Sequence, residues 1–125
     1  MQVDVRSEES LKTFFHEVGE FHHLVITAAE GIMVPFKEAK IERAKEFFLN
    51  KFWGQYSSLY YALPYISKEG SVTFCAGVES RRATPGLSCA SAIDAALEAL
   101  STALEPRAQT VRFCKDIFER VIQEA

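Results

Sequence analysis

Several side chains in this sequence could bind a metal ion or exchange protons. The histidines are His16, His22 and His23, and two acids, Asp94 and Glu98, stand one helical turn apart. A metal site needs further Cys, His or carboxylate ligands in a fixed geometry, and adjacent strand residues such as His22 and His23 point to opposite faces. We therefore interpret the histidines as surface or capping groups and predict no metal site. The two acids lack a set of partners, which favours a solvated or interface carboxylate pair.

These side chains must be positioned by strands and helices that alternate along the chain. The hydrophobic period predicts strands at 3–5, 23–28, 71–76 and 109–113. It predicts helices at 7–18, 37–66, 87–104 and 114–124. Ser7 and Gly19 are the expected caps of the first helix. The alternation predicts one α/β domain over residues 1–125, a three-layer parallel sheet of about four strands with helices on both faces.

The composition is that of a folded cytoplasmic protein. The chain has 125 residues, enough for one domain with a continuous core, and its formal charge of -3 argues against a nucleic-acid binder. Residues 1–9 are polar and acidic, and no stretch is apolar enough to span a membrane, so we expect no secretory signal and no membrane partner. Cys75, Cys89 and Cys114 stand in apolar surroundings, which indicates a reducing compartment and predicts a cytoplasmic location.

Five segments of the chain resemble those of one known family in their order and in their residue types. They lie at 3–10, 24–29, 51–54, 70–77 and 95–104. In these segments the chain resembles the short-chain dehydrogenases/reductases (SDRs). The resemblance implies a Rossmann-like sheet that lacks its first βαβ unit, and a family-level function as an NAD(P)-dependent oxidoreductase. It also implies that Asp4, Ala28 and Ala29 lie near the cofactor.

The resemblance also locates the catalytic groups of the family, and none of them is preserved. The Tyr, Lys, Ser and Asn of the family correspond here to Ala90, Asp94, Gly77 and Lys51. The glycine-rich turn through which the family binds dinucleotide has no counterpart in the sequence. The chain is similar to atypical relatives that lack the Tyr-x-x-x-Lys motif, shortened at both termini. We expect no cofactor to bind this chain with the affinity usual for the family.

An aromatic series runs along the predicted helix at 37–66 and covers more than one of its faces. Its members are Phe47, Phe48, Phe52, Trp53, Tyr56, Tyr60, Tyr61 and Tyr65. Packing in the core accounts for one face, whereas the rest, with the small residues of the helix at 87–104, is typical of a contact between helices. In the resembled family these two helices form a dimer contact, which implies a homodimer. The predicted interface residues are Trp53, Tyr56, Tyr60, Ala96 and Leu100.

Three functions are open on these observations. The first is a shortened SDR-like protein with little or no redox catalysis. The second is an interaction module that works through the helices at 37–66 and 87–104 without a cofactor. The third is a residual enzyme with altered nucleotide binding.

In the resembled fold a free edge of the strand at 23–28 would be covered either by the strand at 3–5 or by a second chain.

Overall fold

The computed structural model describes residues 1–28 and 30–104, together with the backbone of a strand at 111–113. In chain order the elements are α1 (Glu8–Val18), β1 (Phe21–Ile26), α2 (Ile41–Phe47), α3 (Gly54–Ala62), β2 (Ile66–Phe74), α4 (Ser88–Leu104) and β3 (Val111–Phe113). A π-helical segment, Phe48–Trp53, joins α2 to α3, and 3-10 turns lie at Phe36–Glu38, Leu63–Tyr65 and Val78–Ser80. The helix predicted at 114–124 lies outside the described residues.

Helix α1 begins and ends where its capping residues predict. The Ser7 hydroxyl accepts a hydrogen bond from the backbone N–H of Ser10, at 3.2 Å. Gly19 ends the helix with a φ of 71°, a backbone conformation that residues with a Cβ rarely adopt. Its N–H donates to the Phe15 carbonyl. Both caps satisfy backbone groups that a helix end otherwise leaves without partners.

Three parallel strands form the sheet in the order β1–β2–β3. The α/β class and the parallel sheet are confirmed, and the described strands number three where about four were predicted. Strand β2 is longer than predicted, with Gly70 in its interior and not at its start. The pairing of β1 with β2 shifts register near Gly70: Phe21 pairs with Ile66, whereas His23 pairs with Ser71.

The predicted strand at 3–5 is wrong, because these residues form no strand and pair with none. The Asp4 carboxylate accepts a hydrogen bond from the Arg6 N–H at 2.9 Å and another from its guanidinium at 3.0 Å. The Asp4 carbonyl accepts the N–H of Ser7, so the segment closes into a turn ahead of α1. The Val5 side chain packs against Gly54 at the start of α3. Within the described residues, β1 pairs with β2 alone.

The described helices pack on one face of the sheet, where the sequence predicted helices on both. Side chains alternate along a strand, and the covered face buries Ile26, Val72 and Phe74 beneath α3 and α4. The opposite face carries Val25, which is 59% exposed. Since successive strands lie side by side in chain order, right-handed crossovers place the connecting helices on the same side.

The predicted helix at 37–66 is divided in the structure. Regular α-helix begins at Ile41, widens in the π-helical segment and continues to Ala62, after which the 3-10 turn that contains Pro64 leads directly into β2. The predicted helix at 87–104 is confirmed, since α4 begins at Ser88 and ends at Leu104. In the part of the chain that the structure describes, no helix has the length and apolar character needed to cross a membrane.

Candidate functional site

Polar side chains from several elements meet at the carboxyl end of β2. The buried Gln55 of α3 bridges the backbone of Cys75, the first residue after the strand. Its Nε2 donates to the Cys75 carbonyl at 2.9 Å, and the Cys75 N–H donates to its Oε1 at 3.0 Å. The amide thus pairs with the chain as a neighbouring strand would, and it satisfies backbone groups that burial would otherwise penalise. Gln55 therefore fixes the direction in which the chain leaves β2.

A buried ion pair lies between the π-helical segment and α4. The ammonium Nζ of Lys51 donates to Oδ1 of Asp94 at 2.7 Å. The Asp94 side chain is fully buried, and that of Lys51 is 12% exposed. Taking either charge out of water is costly, and the attraction compensates only while both partners stay in contact. The pair therefore clamps the π-helical segment to α4 and supplies the role for Lys51 that the sequence did not show.

Asp94 and Glu98 do not form the solvated or interface pair that their spacing predicted. Asp94 points inward to Lys51, so that prediction is wrong for it. Glu98 accepts a hydrogen bond from the Ser80 hydroxyl at 2.7 Å and lies 3.5 Å from the Arg81 guanidinium. The two acids hold different elements, because Asp94 binds the π-helical segment and Glu98 binds the 3-10 turn after β2.

Gly77 lies beside this cluster at a point where the structure leaves little room for a side chain. A Cβ built on Gly77 would lie 2.9 Å from Oδ2 of Asp94 and would collide with a carboxylate oxygen of Glu79. The two carboxylates therefore approach the same small space above Gly77. Oδ2 of Asp94 is buried and has no hydrogen-bond partner among the described residues. The cluster thus consists of the Lys51–Asp94 ion pair and the nearby carboxylate of Glu79.

The α4 residue one turn before Asp94 has no polar side chain. Ala90 is buried at that position, in a core cluster that includes Ala76 and Ile93. The neighbouring Ser91 hydroxyl donates to the Leu87 carbonyl at 3.0 Å, within its own helix. Ala90 therefore has no group that could exchange a proton, and the Ser91 hydroxyl is hydrogen-bonded to its own helix.

Several solved dehydrogenases have this arrangement of elements. A small-chain dehydrogenase superposes with a TM-score of 0.82 at 29% identity, over 88% of this chain and 60% of that protein. A small-chain dehydrogenase in complex with NADPH gives 0.83 and 29%, over 88% of this chain and 51% of that one. An alcohol dehydrogenase from the archaeon Thermococcus sibiricus, complexed with 5-hydroxy-NADP, gives 0.83 at 22% identity, over 92% and 51%. The chain has the short-chain dehydrogenase/reductase fold.

The match covers most of this chain and a smaller share of its neighbours. The chain spans 51 to 60% of the length of the two small-chain dehydrogenases. No protein-family profile and no curated protein sequence matches it. The resemblance that the five segments indicated is therefore confirmed for the SDR fold, while activity, substrate and partners are matters for proposal.

Within the SDR fold, the four positions that the resemblance assigned to catalysis lie around the ion pair. Lys51 and Asp94, to which the sequence resemblance assigned the Asn and the Lys of the family, bind each other directly. Gly77 adjoins Asp94, and Ala90 lies one turn earlier on α4. The four residues thus lie near one another, and they supply one salt bridge and two positions without a polar side chain.

Two of the three residues predicted near the cofactor are described by the structure. Asp4 is exposed, and the hydrogen bond from the Arg6 guanidinium lowers the pKa of its carboxyl below the ordinary value. Ala28 follows β1 and is half-buried, while Ala29 lies outside the described residues. A dinucleotide needs a tight glycine turn whose N–H groups meet the pyrophosphate at a helix N-terminus. The described residues contain no such turn, and we assign no step to a bound NAD(P).

The histidines behave as surface groups, as predicted. His16, His22 and His23 are all exposed. The described ranges contain no group of three or more His, Cys, Asp or Glu side chains placed to hold a metal ion.

The predicted interface residues divide between the surface and the core. Trp53, Tyr56 and Tyr60 are 49%, 39% and 62% exposed on the outer side of the helix that contains α3. Ala96 is half-buried, and Leu100 packs partly against the core beneath the sheet. The exposed side chains of α4 are small instead, and they are Ser88, Ala92, Ala95, Ala99, Thr102 and Ala103.

Proposed function

We propose that this chain is an SDR-fold protein in which a structural ion pair replaces the catalytic groups of the family, and that the chain does not catalyse dehydrogenation by itself. The contact of 2.7 Å between Lys51 and Asp94, at two of the four positions that the resemblance assigned to catalysis, carries the proposal. Exchange of a proton with an alcohol or a carbonyl needs a group that can give and take one next to the substrate. The buried ammonium of Lys51 is bound to the Asp94 carboxylate, so it is not free to exchange a proton with a substrate.

The first test is binding of the cofactor. Isothermal titration of the chain with NADPH is expected to show no binding in the micromolar range, because the described residues provide no cradle for the pyrophosphate. The small-chain dehydrogenase that was solved with NADPH serves as the positive control. Micromolar binding, or oxidation of NADPH with any member of a panel of aldehydes and ketones, would contradict the proposal. If binding occurs and Asp4→Ala abolishes it, a residual enzyme with altered nucleotide binding becomes the better account.

A second candidate function is assembly, and the spacing of the exposed side chains favours it. Large apolar residues on the outer side of the helix at 41–65 follow one another at intervals of four and three positions, and they are Leu49, Trp53, Tyr56, Tyr60 and Leu63. Five of the six small exposed residues of α4 have the same intervals, and they are Ser88, Ala92, Ala95, Ala99 and Thr102. Large residues on one helix and small ones on another allow close packing. We infer that two copies form a homodimer through these two stripes.

The homodimer predicts an oligomeric state that two separate substitutions change. Light scattering at micromolar concentration is expected to give twice the chain mass for the wild type, and the monomer mass for Trp53→Glu and for Ala99→Arg. Both residues are exposed, so the substitutions place a charge in the contact without disturbing the core. Glu17→Arg, at an exposed site on α1, is the control and should stay dimeric. A monomeric wild type, or dimers of unchanged stability in both variants, would remove this proposal.

The cytoplasmic location and the lack of a nucleic-acid partner stay predictions. The net charge of -3 supports the second. For the first, the Cys89 thiol lies 3.7 Å from the Ala44 carbonyl, and burial raises its pKa, which is typical of a reduced structural cysteine.

A further inference from the structure

The π-helical segment lies between the ion pair and the stripe proposed for the homodimer. Lys51 reaches inward to Asp94, whereas Leu49 and Trp53 on the outer side are 46% and 49% exposed. Each of these two stripe residues stands two positions from Lys51 in the sequence. The same short segment therefore carries the buried ammonium and two of the large side chains of the proposed contact.

The hydrogen bonds of this segment close a wider turn than those of the helix before it. The Gly54 N–H donates to the Leu49 carbonyl, five positions earlier. At the other end the Phe48 N–H donates to the Ala44 carbonyl, four positions earlier, as in a regular α-helix. A turn closed over five positions contains one residue more than an α-helical turn. The side chains of this turn therefore point in directions that a continuous α-helix would not give them.

Buried side chains hold the two ends of the segment. Phe47 precedes it and is 3% exposed in the core. Gln55 follows it, is fully buried and is hydrogen-bonded to the backbone after β2. Because both ends are held, a change in the middle of the segment is confined to the residues between them, which include Leu49 and Trp53.

The middle of the segment is tied to α4 by the ion pair. Lys51 donates to the fully buried Asp94 at 2.7 Å. A second bond, from Asn50 to Glu30 at 2.9 Å, is exposed, so water competes for its groups. Phe52 adds apolar contacts with the core, which are not directional. The direction in which the segment presents its outer side chains therefore depends mainly on the ion pair.

We propose that the contact between Lys51 and Asp94 controls assembly, because it fixes the π-helical segment that presents Leu49 and Trp53 to the second chain. The inference rests on the homodimer proposed above and adds its regulation. Any change that draws the Asp94 carboxylate away from Lys51 weakens the dimer, and formation of the dimer in turn strengthens the ion pair. Neither partner of the pair belongs to the two stripes, so the effect is transmitted through the segment.

The test is the dissociation constant of the dimer, measured by sedimentation equilibrium on the folded protein. Lys51→Met is expected to raise this constant about tenfold. Asp94→Asn keeps the shape of the side chain and an oxygen that accepts from Lys51, so it is expected to raise the constant about threefold. It also serves if Lys51→Met does not fold. The control, Lys68→Met, removes the same charge from an exposed position of β2 outside both stripes, and it should leave the constant unchanged.

Trp53 reports on the segment even without a dimer, since it is the single tryptophan of the chain. In the monomer that Ala99→Arg is expected to give, adding Asp94→Asn should increase the quenching of Trp53 by acrylamide about 1.5-fold, because the segment opens more often. Adding Lys68→Met should not change it. A monomeric wild type in which Trp53 responds in this way would remove the homodimer and support the coupling of the pair to the stripe.

Two results would overturn the inference. The first is a dimer whose dissociation constant stays within about twofold of the wild-type value in both Lys51→Met and Asp94→Asn. The second is a monomeric wild type in which the quenching of Trp53 does not respond to Asp94→Asn.

Discussion

Replacing Lys51 by Met is expected to lower the free energy of unfolding by about 3–5 kcal/mol. The substitution keeps a long, flexible side chain but removes the ammonium that lies 2.7 Å from Oδ1 of Asp94. The Asp94 carboxylate would then be a buried charge without a partner, next to an Oδ2 that already has none. Urea unfolding followed by circular dichroism measures the loss.

The control for this prediction is Lys45→Met on α2. Lys45 is exposed and takes part in no ion pair among the described residues, so its replacement should change stability by less than about 0.5 kcal/mol. If Lys51→Met costs no more than Lys45→Met, the ion pair does not stabilise the fold and the interpretation of the site is wrong.

Gly70→Ala is expected to be similarly damaging, with a loss of about 3 kcal/mol. A Cβ at this position would collide with the His22 carbonyl of β1, and it would lie 2.6 Å from Cγ2 of Ile66 and 3.0 Å from the Ser67 carbonyl. Two of these three contacts are backbone atoms, which cannot move aside as the end of a side chain can. The shift of register between β1 and β2 therefore depends on a glycine, and thermal unfolding should show a marked drop in the midpoint.

Gly31→Ala is the matched control, because a Cβ there would have nothing within 4 Å. It is expected to leave the unfolding midpoint unchanged or slightly raised, since alanine restricts the unfolded chain more than glycine does. Equal effects of the two substitutions would mean that the close approach at Gly70 does not constrain the sheet.

Local signals in the sequence were sufficient for much of the fold. Ser7 and Gly19 bound α1 as predicted, because capping depends on residues that are neighbours in sequence. The apolar runs identified two parallel strands, and the small residues before Pro106 identified α4. The segment at 3–5 was misread because Val3 and Val5 suit a strand, whereas the side chain of Asp4 closes a turn.

The sequence named residues that lie near one another in the structure, but it did not predict the contact between Lys51 and Asp94. The resemblance named the four positions, yet the spacing of Asp94 and Glu98 suggested a solvated pair. The partner of Asp94 lies 43 residues away in the sequence, in a π-helical segment that the hydrophobic pattern did not predict. Only the packing of that segment on α4 brings the two charges together, so the pairing depends on tertiary structure.

The most direct test of the account is a double-mutant cycle on the ion pair, with Lys51→Met, Asp94→Leu and the two combined, measured by urea unfolding. Each single variant leaves one buried charge alone, whereas the double variant leaves neither. We predict that the double variant is more stable than the sum of the single losses implies, with a coupling of about 2–3 kcal/mol. Losses that add within about 0.5 kcal/mol would show that Lys51 and Asp94 do not depend on each other, and would contradict the claim that a structural ion pair occupies the catalytic positions of this fold.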